Sequence, residues 1–196
     1  MSEASQDLIP MNIAKAMKLI VATKQNEGRP NLQQVLCESY MNTYDNSTEA
    51  RFVGTNGHVM LIVDTKLPPP EDDYSVSAAP EPGGKIATSD LAKFIDSKGH
   101  RKPEFFRVRD RVLPEFPDYK QVIHESKEAV ERIGFDVSYM DMMLKIHKAL
   151  KLGSSQTWSV SFEGTCGPAT WSPEMTSSAD DLIRGVTFIV MPVRLG

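Results

Sequence analysis

The chain has 196 residues, 40% hydrophobic and 24% charged, the balance of a globular protein with room for one ordinary domain or two small ones, which excludes a disordered tail. Its 22 lysines and arginines stand against 26 aspartates and glutamates, and the net charge of -4 excludes a surface that is basic throughout, so that any contact with DNA is local. No apolar run approaches the roughly 18 residues of a membrane span, and the opening MSEASQDLIPMN lacks the basic-then-apolar order of a signal peptide; a cytoplasmic location with no membrane partner is expected.

Residues 11–24 place Ile13, Ala16, Met17, Ile20 and Val21 on one face at helical spacing, after Pro10 and Asn12 as start signals, and predict a first helix. Leu32 to Tyr40, Ala50 to Gly54 and Val59 to Val63, broken by Asp45-Asn46 and Asn56-Gly57, predict a three-stranded meander. The run from Leu67 to Gly84 is rich in proline, glycine and acidic residues and predicts a connector. Thr88-Ser89-Asp90 offers a cap for a second helix carrying Leu91, Phe94 and Ile95 inward and ending at Gly99. Phe105, Phe106, Val108 and Val112 predict one or two strands, and Leu113 to Ile123, with two prolines, an extended segment crossing the surface. Ile133 to Val137 reads as a strand running into Ser138, the cap of a third helix that turns Met140, Met143 and Leu144 inward, with Ile146 and Leu150 behind them, and ends at Gly153. Trp158 to Phe162, Ala169 to Trp171 and Gly185 to Leu195 close the chain as strands. Three units of helix plus strands predict an α+β fold in which helices cover one face of antiparallel sheets.

Little in the sequence supports catalysis. His58, His100, His124 and His147 have no carboxylate or thiol at catalytic or metal-ligand spacing, and HExxH, GxSxG and Gly-rich phosphate loops are absent. The expectation is a non-enzyme with no catalytic residue, no metal and no cofactor. His147, near Asp141, reads as a solvent-facing histidine of an amphipathic helix, and Gly164, Cys166 and Gly167 as a turn. Cys37 and Cys166 are expected as reduced thiols. Charge is more informative. Half of the 22 basic residues fall in the three segments 11–29, 89–102 and 138–152, while most of the 26 acidic residues lie elsewhere. Lys15 and Lys18, Lys145 and Lys148, and Lys148 and Lys151 each share a helix face. Such faces meet phosphate through counterion release and do not read bases; a solvated helix with lysines extended into water explains any one of them equally well.

Five fragments carry a family resemblance: Gly28-Arg29-Pro30 with the LQQVL that begins at Leu32, GTNGHVM from Gly54 to Met60, FPDYKQV from Phe116 to Val122, IGFDVSY from Ile133 to Tyr139, and IVMPVRL from Ile189 to Leu195. In this order they resemble the bacterial DNA polymerase III beta subunit, the replicative sliding clamp. The resemblance implies a DNA-clamp-like fold of about one and a half clamp domains. Residues 1–123 resemble the middle domain, the likeness running over 11–123, and residues 124–196 the C-terminal part of the last, the likeness running over 133–196; short clamps of this kind resemble those of phages and prophages.

The resemblance implies a peptide pocket for polymerases and other replication proteins. Thr55, Gly57, His58, Val59 and Met60 form one wall, Pro117 and Val122 a second, and Ile189, Met191, Pro192, Val193, Arg194 and Leu195 a third. Val59 stands where the family has Arg, and Val193 where it has Met. Duplex DNA is the other implied partner, met by Lys15, Lys18, Arg29, Lys145 and Lys148. A family ring is lined by twelve helices, so four chains of three would complete one; a homo-oligomeric ring, as a tetramer, and a monomer or small oligomer are equally admitted. The implied function is a processivity factor or adaptor. The alternative is a non-encircling decoy or inhibitor that sequesters clamp-binding proteins.

Overall fold

The computed structural model describes residues 10–21, 29–69, 74–77, 94–95, 101–102, 106–107, 116–123, 133–153, 157–162, 167–175 and 182–192. Helix α1 spans Met11–Val21, followed by strands β1 (Gln34–Met41), β2 (Thr48–Thr55), β3 (Val59–Thr65) and β4 (Tyr74–Ser77). Three two-residue strands come next, β5 (Phe94–Ile95), β6 (Arg101–Lys102) and β7 (Phe106–Arg107), then a 3-10 turn at Tyr119–Val122. Helix α2 (Val137–Leu150) precedes β8 (Trp158–Phe162), β9 (Ala169–Pro173) and β10 (Ile183–Val190). Eight strands form one sheet in the order β7-β4-β1-β2-β3-β10-β9-β8, and every pairing in it is antiparallel.

Each meander follows a helix, and the two meet where β3 pairs with β10, from Val59↔Val190 to Ile183↔Thr65. The sheet therefore runs unbroken across the expected boundary between residues 123 and 124. Residue alternation then gives the sheet two buried faces. Val35, Cys37, Ala50, Phe52, Val59, Leu61, Val63, Val186, Phe188 and Val190 point to the helices. Leu36, Val53, Met60, Ile62 and Ile189 point the other way, under Phe116, Tyr119 and Val122. This is why β3 reads VMLIV without alternation: a strand covered on both sides has no solvent face to mark with polar residues.

Helix α1 buries Ile13, Ala14, Ala16, Met17, Ile20 and Val21 completely and leaves Lys15 and Lys18 exposed, as the periodicity predicts. Full burial of each larger aliphatic side chain contributes about 1.5–3 kcal/mol. The helix comes so close to β2 that a Cβ at Gly54 would stand 3.0 Å from Val21 Cγ1 and 3.1 Å from Met17 Sδ.

Several expectations need correction. The connector contains β4, because the outer edge of β1 is open and Val35↔Val76 pairing completes its hydrogen bonds. Phe94 and Ile95, expected on a helix, form β5 and pair with β6, consistent with their strong strand preference. The remainder of that expected helix lies outside the described residues, so two helix-plus-meander units are described instead of three. Tyr119 is buried within a helical turn where an extended surface segment was expected. The cap of α2 is Asp136, whose carboxylate accepts from the Ser138 N–H at 2.8 Å, and not Ser138 itself; residues 133–136 form no continuous strand. Leu144 is 41% exposed, whereas His147, expected in solvent, is 4% exposed. The side of α2 that docks is set by α1 and β8, which no periodicity within α2 can reveal. At the C-terminal end Lys151 takes the left-handed position at φ 54, before Gly153 at φ 97.

Candidate functional site

The site begins with the β2–β3 turn. Thr55 Oγ1 donates to the Val59 carbonyl at 2.9 Å and accepts from the Gly57 N–H at 3.0 Å. Asn56 Oδ1 accepts from the His58 and Val59 N–H groups at 3.0 and 2.9 Å, and the Asn56 N–H donates to the Val59 carbonyl at 3.1 Å. Gly57 sits at φ +85, a conformation that side chains disfavour. The turn is thus fixed by its own polar groups. It is anchored to the last strand as well, since the Met191 N–H donates to the His58 carbonyl at 2.9 Å.

Beside this turn lies an apolar cleft of about 160 Å³. Thr55, Gly57, His58, Val59 and Met60 form one wall, Pro117 and Val122 another, and Ile189 and Met191 a third. Nine of the residues expected for the pocket are therefore brought together from three distant segments. Pro192 is half-buried just beyond Met191; Val193, Arg194 and Leu195 lie outside the described residues. Leu32, Asp118 and Tyr119 also line the cleft. They stand inside the LQQVL and FPDYKQV fragments, but nothing in their spacing marks them as lining. Met60 and Ile189 are buried at its floor, while Met191 is 38% exposed at its rim. Methionine suits such a surface because its flexible thioether adapts to different shapes.

The linker wall is tied to the sheet at Glu38. Among the described residues, 116–123 pairs with no strand, and its position comes from Tyr119, which packs edge-on against Phe116 and donates its hydroxyl to the buried Glu38 carboxylate. Lys120 reaches the other Glu38 oxygen at 3.2 Å. Burial first, and then the bond to Glu38, raise the Tyr119 phenol well above its ordinary pKa, so it remains a donor. Beyond Glu38 the same face turns ionic. Arg51 forms a forked pair with Asp64 at 2.6 and 3.2 Å and stacks on the Tyr40 ring. Tyr40 donates to Glu49, which Arg184 clasps at 2.7 Å while also holding Asp45 at 3.0 Å. The bonds from Arg184 hold the Glu49 carboxyl below its ordinary value.

The expected DNA-contacting residues stand on the two helices and near the β2–β3 turn. Lys15 and Lys18 are exposed on α1, and Lys148 on α2, across the sheet from the cleft. Lys145 is paired with Asp141 at 2.6 Å, which offsets part of its charge. Arg29 is exposed, and its guanidinium would lie 3.9 Å from a Cβ on Gly57, so it stands at the cleft end of the sheet. His147 approaches the Gly153 carbonyl at 3.3 Å, with its ring 6.2 Å from that of Trp158. Cys37 is a buried thiol on the helix face; Cys166 lies outside the described residues. Among the described residues no three His, Cys, Asp or Glu side chains gather to hold a metal, and no helix is long and apolar enough to cross a membrane.

Comparison with solved structures identifies the fold. The DNA polymerase III beta subunit of Thermotoga maritima aligns with a TM-score of 0.51 at 15% identity, over 100% of this chain and 68% of that one. The Helicobacter pylori beta clamp, solved in complex with carprofen, aligns with a TM-score of 0.56 at 9% identity, over 96% and 66%. The Bacillus subtilis DNA polymerase sliding clamp aligns with a TM-score of 0.53 at 16% identity, over 96% and 64%. No protein-family model matches the sequence, and neither does any curated protein. The fold is that of sliding-clamp domains, and the chain spans about two thirds of the length of the clamps it matches.

Proposed function

We propose that this chain, built on the sliding-clamp fold, is a non-enzymatic replication factor whose cleft captures a short hydrophobic motif of a polymerase or another replication protein. The observation that carries this reading is the assembly of residues 55–60, 117–122 and 189–191, far apart in sequence, around one apolar cleft. Apolar floor residues receive an aromatic or aliphatic side chain, and the ordered turn needs no rearrangement to do so. The test is calorimetric titration of a clamp-motif peptide into the full chain and into Met60→Glu. Micromolar or tighter binding to the parent, lost in a variant that keeps its circular dichroism spectrum, is expected. Equal affinity for both sinks the assignment.

In this reading Lys15, Lys18 and Lys148 supply salt-sensitive, sequence-independent attraction to duplex DNA, and Arg29 and Lys145 contribute less. Reversal of Lys15, Lys18 and Lys148 to Glu weakens DNA association and flattens its salt dependence; unchanged binding removes DNA from the proposal. A second reading keeps the cleft and drops encirclement: an adaptor or decoy that holds clamp-binding proteins, which the cleft alone would suffice for. Light scattering across a concentration series separates the two: a stable closed oligomer supports encirclement, and a persistent monomer supports the decoy.

A further inference from the structure

Asn56 is the one asparagine of the chain that glycine follows directly. In such a pair no side chain obstructs the approach of the glycine nitrogen to the asparagine Cγ. The reaction is a condensation followed by hydrolysis. The Gly57 nitrogen loses its proton to water or hydroxide and attacks Asn56 Cγ; the new C–N bond closes a five-membered succinimide as the side-chain nitrogen leaves as ammonia. Water then opens the ring. Cleavage at Cγ yields aspartate with the original main chain, and cleavage at the main-chain carbonyl yields isoaspartate, in which the chain runs through the side-chain carbon.

We propose that Asn56–Gly57 is a modification site locked by the fold: conversion proceeds when the β2–β3 turn opens, is suppressed while it is closed, and only the aspartate product can rebuild the turn. The lock is visible in the hydrogen bonds. Asn56 is 1% exposed, and its Oδ1 is pinned by two backbone N–H groups at 3.0 and 2.9 Å. The attacking nitrogen is engaged too, since its N–H donates to Thr55 Oγ1 at 3.0 Å. Rotation of Cγ towards the Gly57 nitrogen has to break these bonds, and water must reach a carbonyl carbon that is covered.

The two products differ in what they can restore. An aspartate places a carboxylate oxygen where Oδ1 was, and a carboxylate accepts from two N–H groups more strongly than an amide. An isoaspartate adds a methylene to the main chain between Thr55 and Gly57. It moves the acceptor away from the His58 and Val59 N–H groups and breaks the register that closes on the Thr55↔Met60 pair.

The full chain is incubated at mildly alkaline pH and one temperature, folded in buffer and unfolded in urea, and conversion at residue 56 is followed by peptide mass mapping. Both samples are then transferred to refolding buffer and melted. The expected result is conversion at Asn56 at least about tenfold slower in the folded chain, the protection that a closed segment gives to a reaction of its open form. Asn56→Asp melts at or above the parent, and the isoaspartate fraction melts below it. Equal rates in the two states, no conversion in urea, or parent-like melting of the isoaspartate fraction each overturn the proposal. No ligand enters the readout, so its failure is distinct from failure of the peptide-binding reading.

Discussion

The two faces of the sheet are both buried, but by different means. On one side α1 and α2 lay whole helices across β1, β2, β3 and β10 and bury a continuous aliphatic and aromatic layer. On the other, a short linker covers a few residues, and an ionic network takes up where it ends. In the proposed function, stability and recognition are thereby divided between the faces. The linker leaves a cleft because a single turn cannot cover what a helix covers.

Adjacent residues of β10 test this division most strongly. Phe188 faces the helices and Ile189 the cleft, both almost fully buried. Phe188→Ala is expected to cost about 4 kcal/mol in urea unfolding, and Ile189→Ala about 3, because the linker can settle into the space more easily than two helices can. Peptide affinity should follow the opposite order, with Ile189→Ala the more damaging. A larger loss of binding in Phe188→Ala, at temperatures where both variants are folded, breaks the comparison.

Gly54→Val comes next. Its branches would enter the space of Val21 and Met17 and push α1 outward, at a cost of about 2 kcal/mol. Denaturation midpoints measure it, and an unchanged midpoint would show that α1 yields freely. Tyr119→Phe keeps the ring but removes the hydroxyl from Glu38, and a cost of about 1.5 kcal/mol is expected. Here the informative comparison is between stability and peptide affinity. A linker held by this bond loses affinity by more than any global destabilisation explains, and a fall in stability alone would make Tyr119 a core residue only.

The smallest effect is pH-dependent. Because Arg184 depresses the Glu49 carboxyl below its ordinary value of 4.5, the pair stabilises the fold fully above that value, and the contribution is lost as pH falls through the depressed one. Arg184→Gln lacks this contribution. The stability gap between parent and variant should therefore be widest near neutrality and close in acid, which urea titrations at several pH values would read; a gap independent of pH contradicts the ion-pair account.

Much of this was legible in the residues. The apolar stripe of α1, the Asn56-Gly57 turn and the two-sided run of β3 are local patterns, and local patterns survive in sequence. The resemblance fragments also anticipated that residues 55–60, 117–122 and 189–191 meet, although their contact is entirely non-local. What escaped depended on partners. Strand β4 exists because β1 offers an edge, in a segment whose own prolines argue against order. His147 is buried because α2 docks beside Trp158, and Leu144, one position off that seam, is left outside. Tyr119 looks like one more residue of a proline-broken loop until Glu38 is known to lie beneath it.

The place of β10 also bears on assembly. It is the last strand described, yet it stands inside the sheet, between β3 and β9. During synthesis β3, with its VMLIV run, emerges long before the strand that covers its outer edge, and an uncovered apolar edge is a template for wrong pairing. Native pairing waits for a contact of high sequence separation, which slows folding. The nascent chain thus has β3 ready well before its second neighbour, and a chain halted before Ile183 has neither a closed sheet nor a cleft.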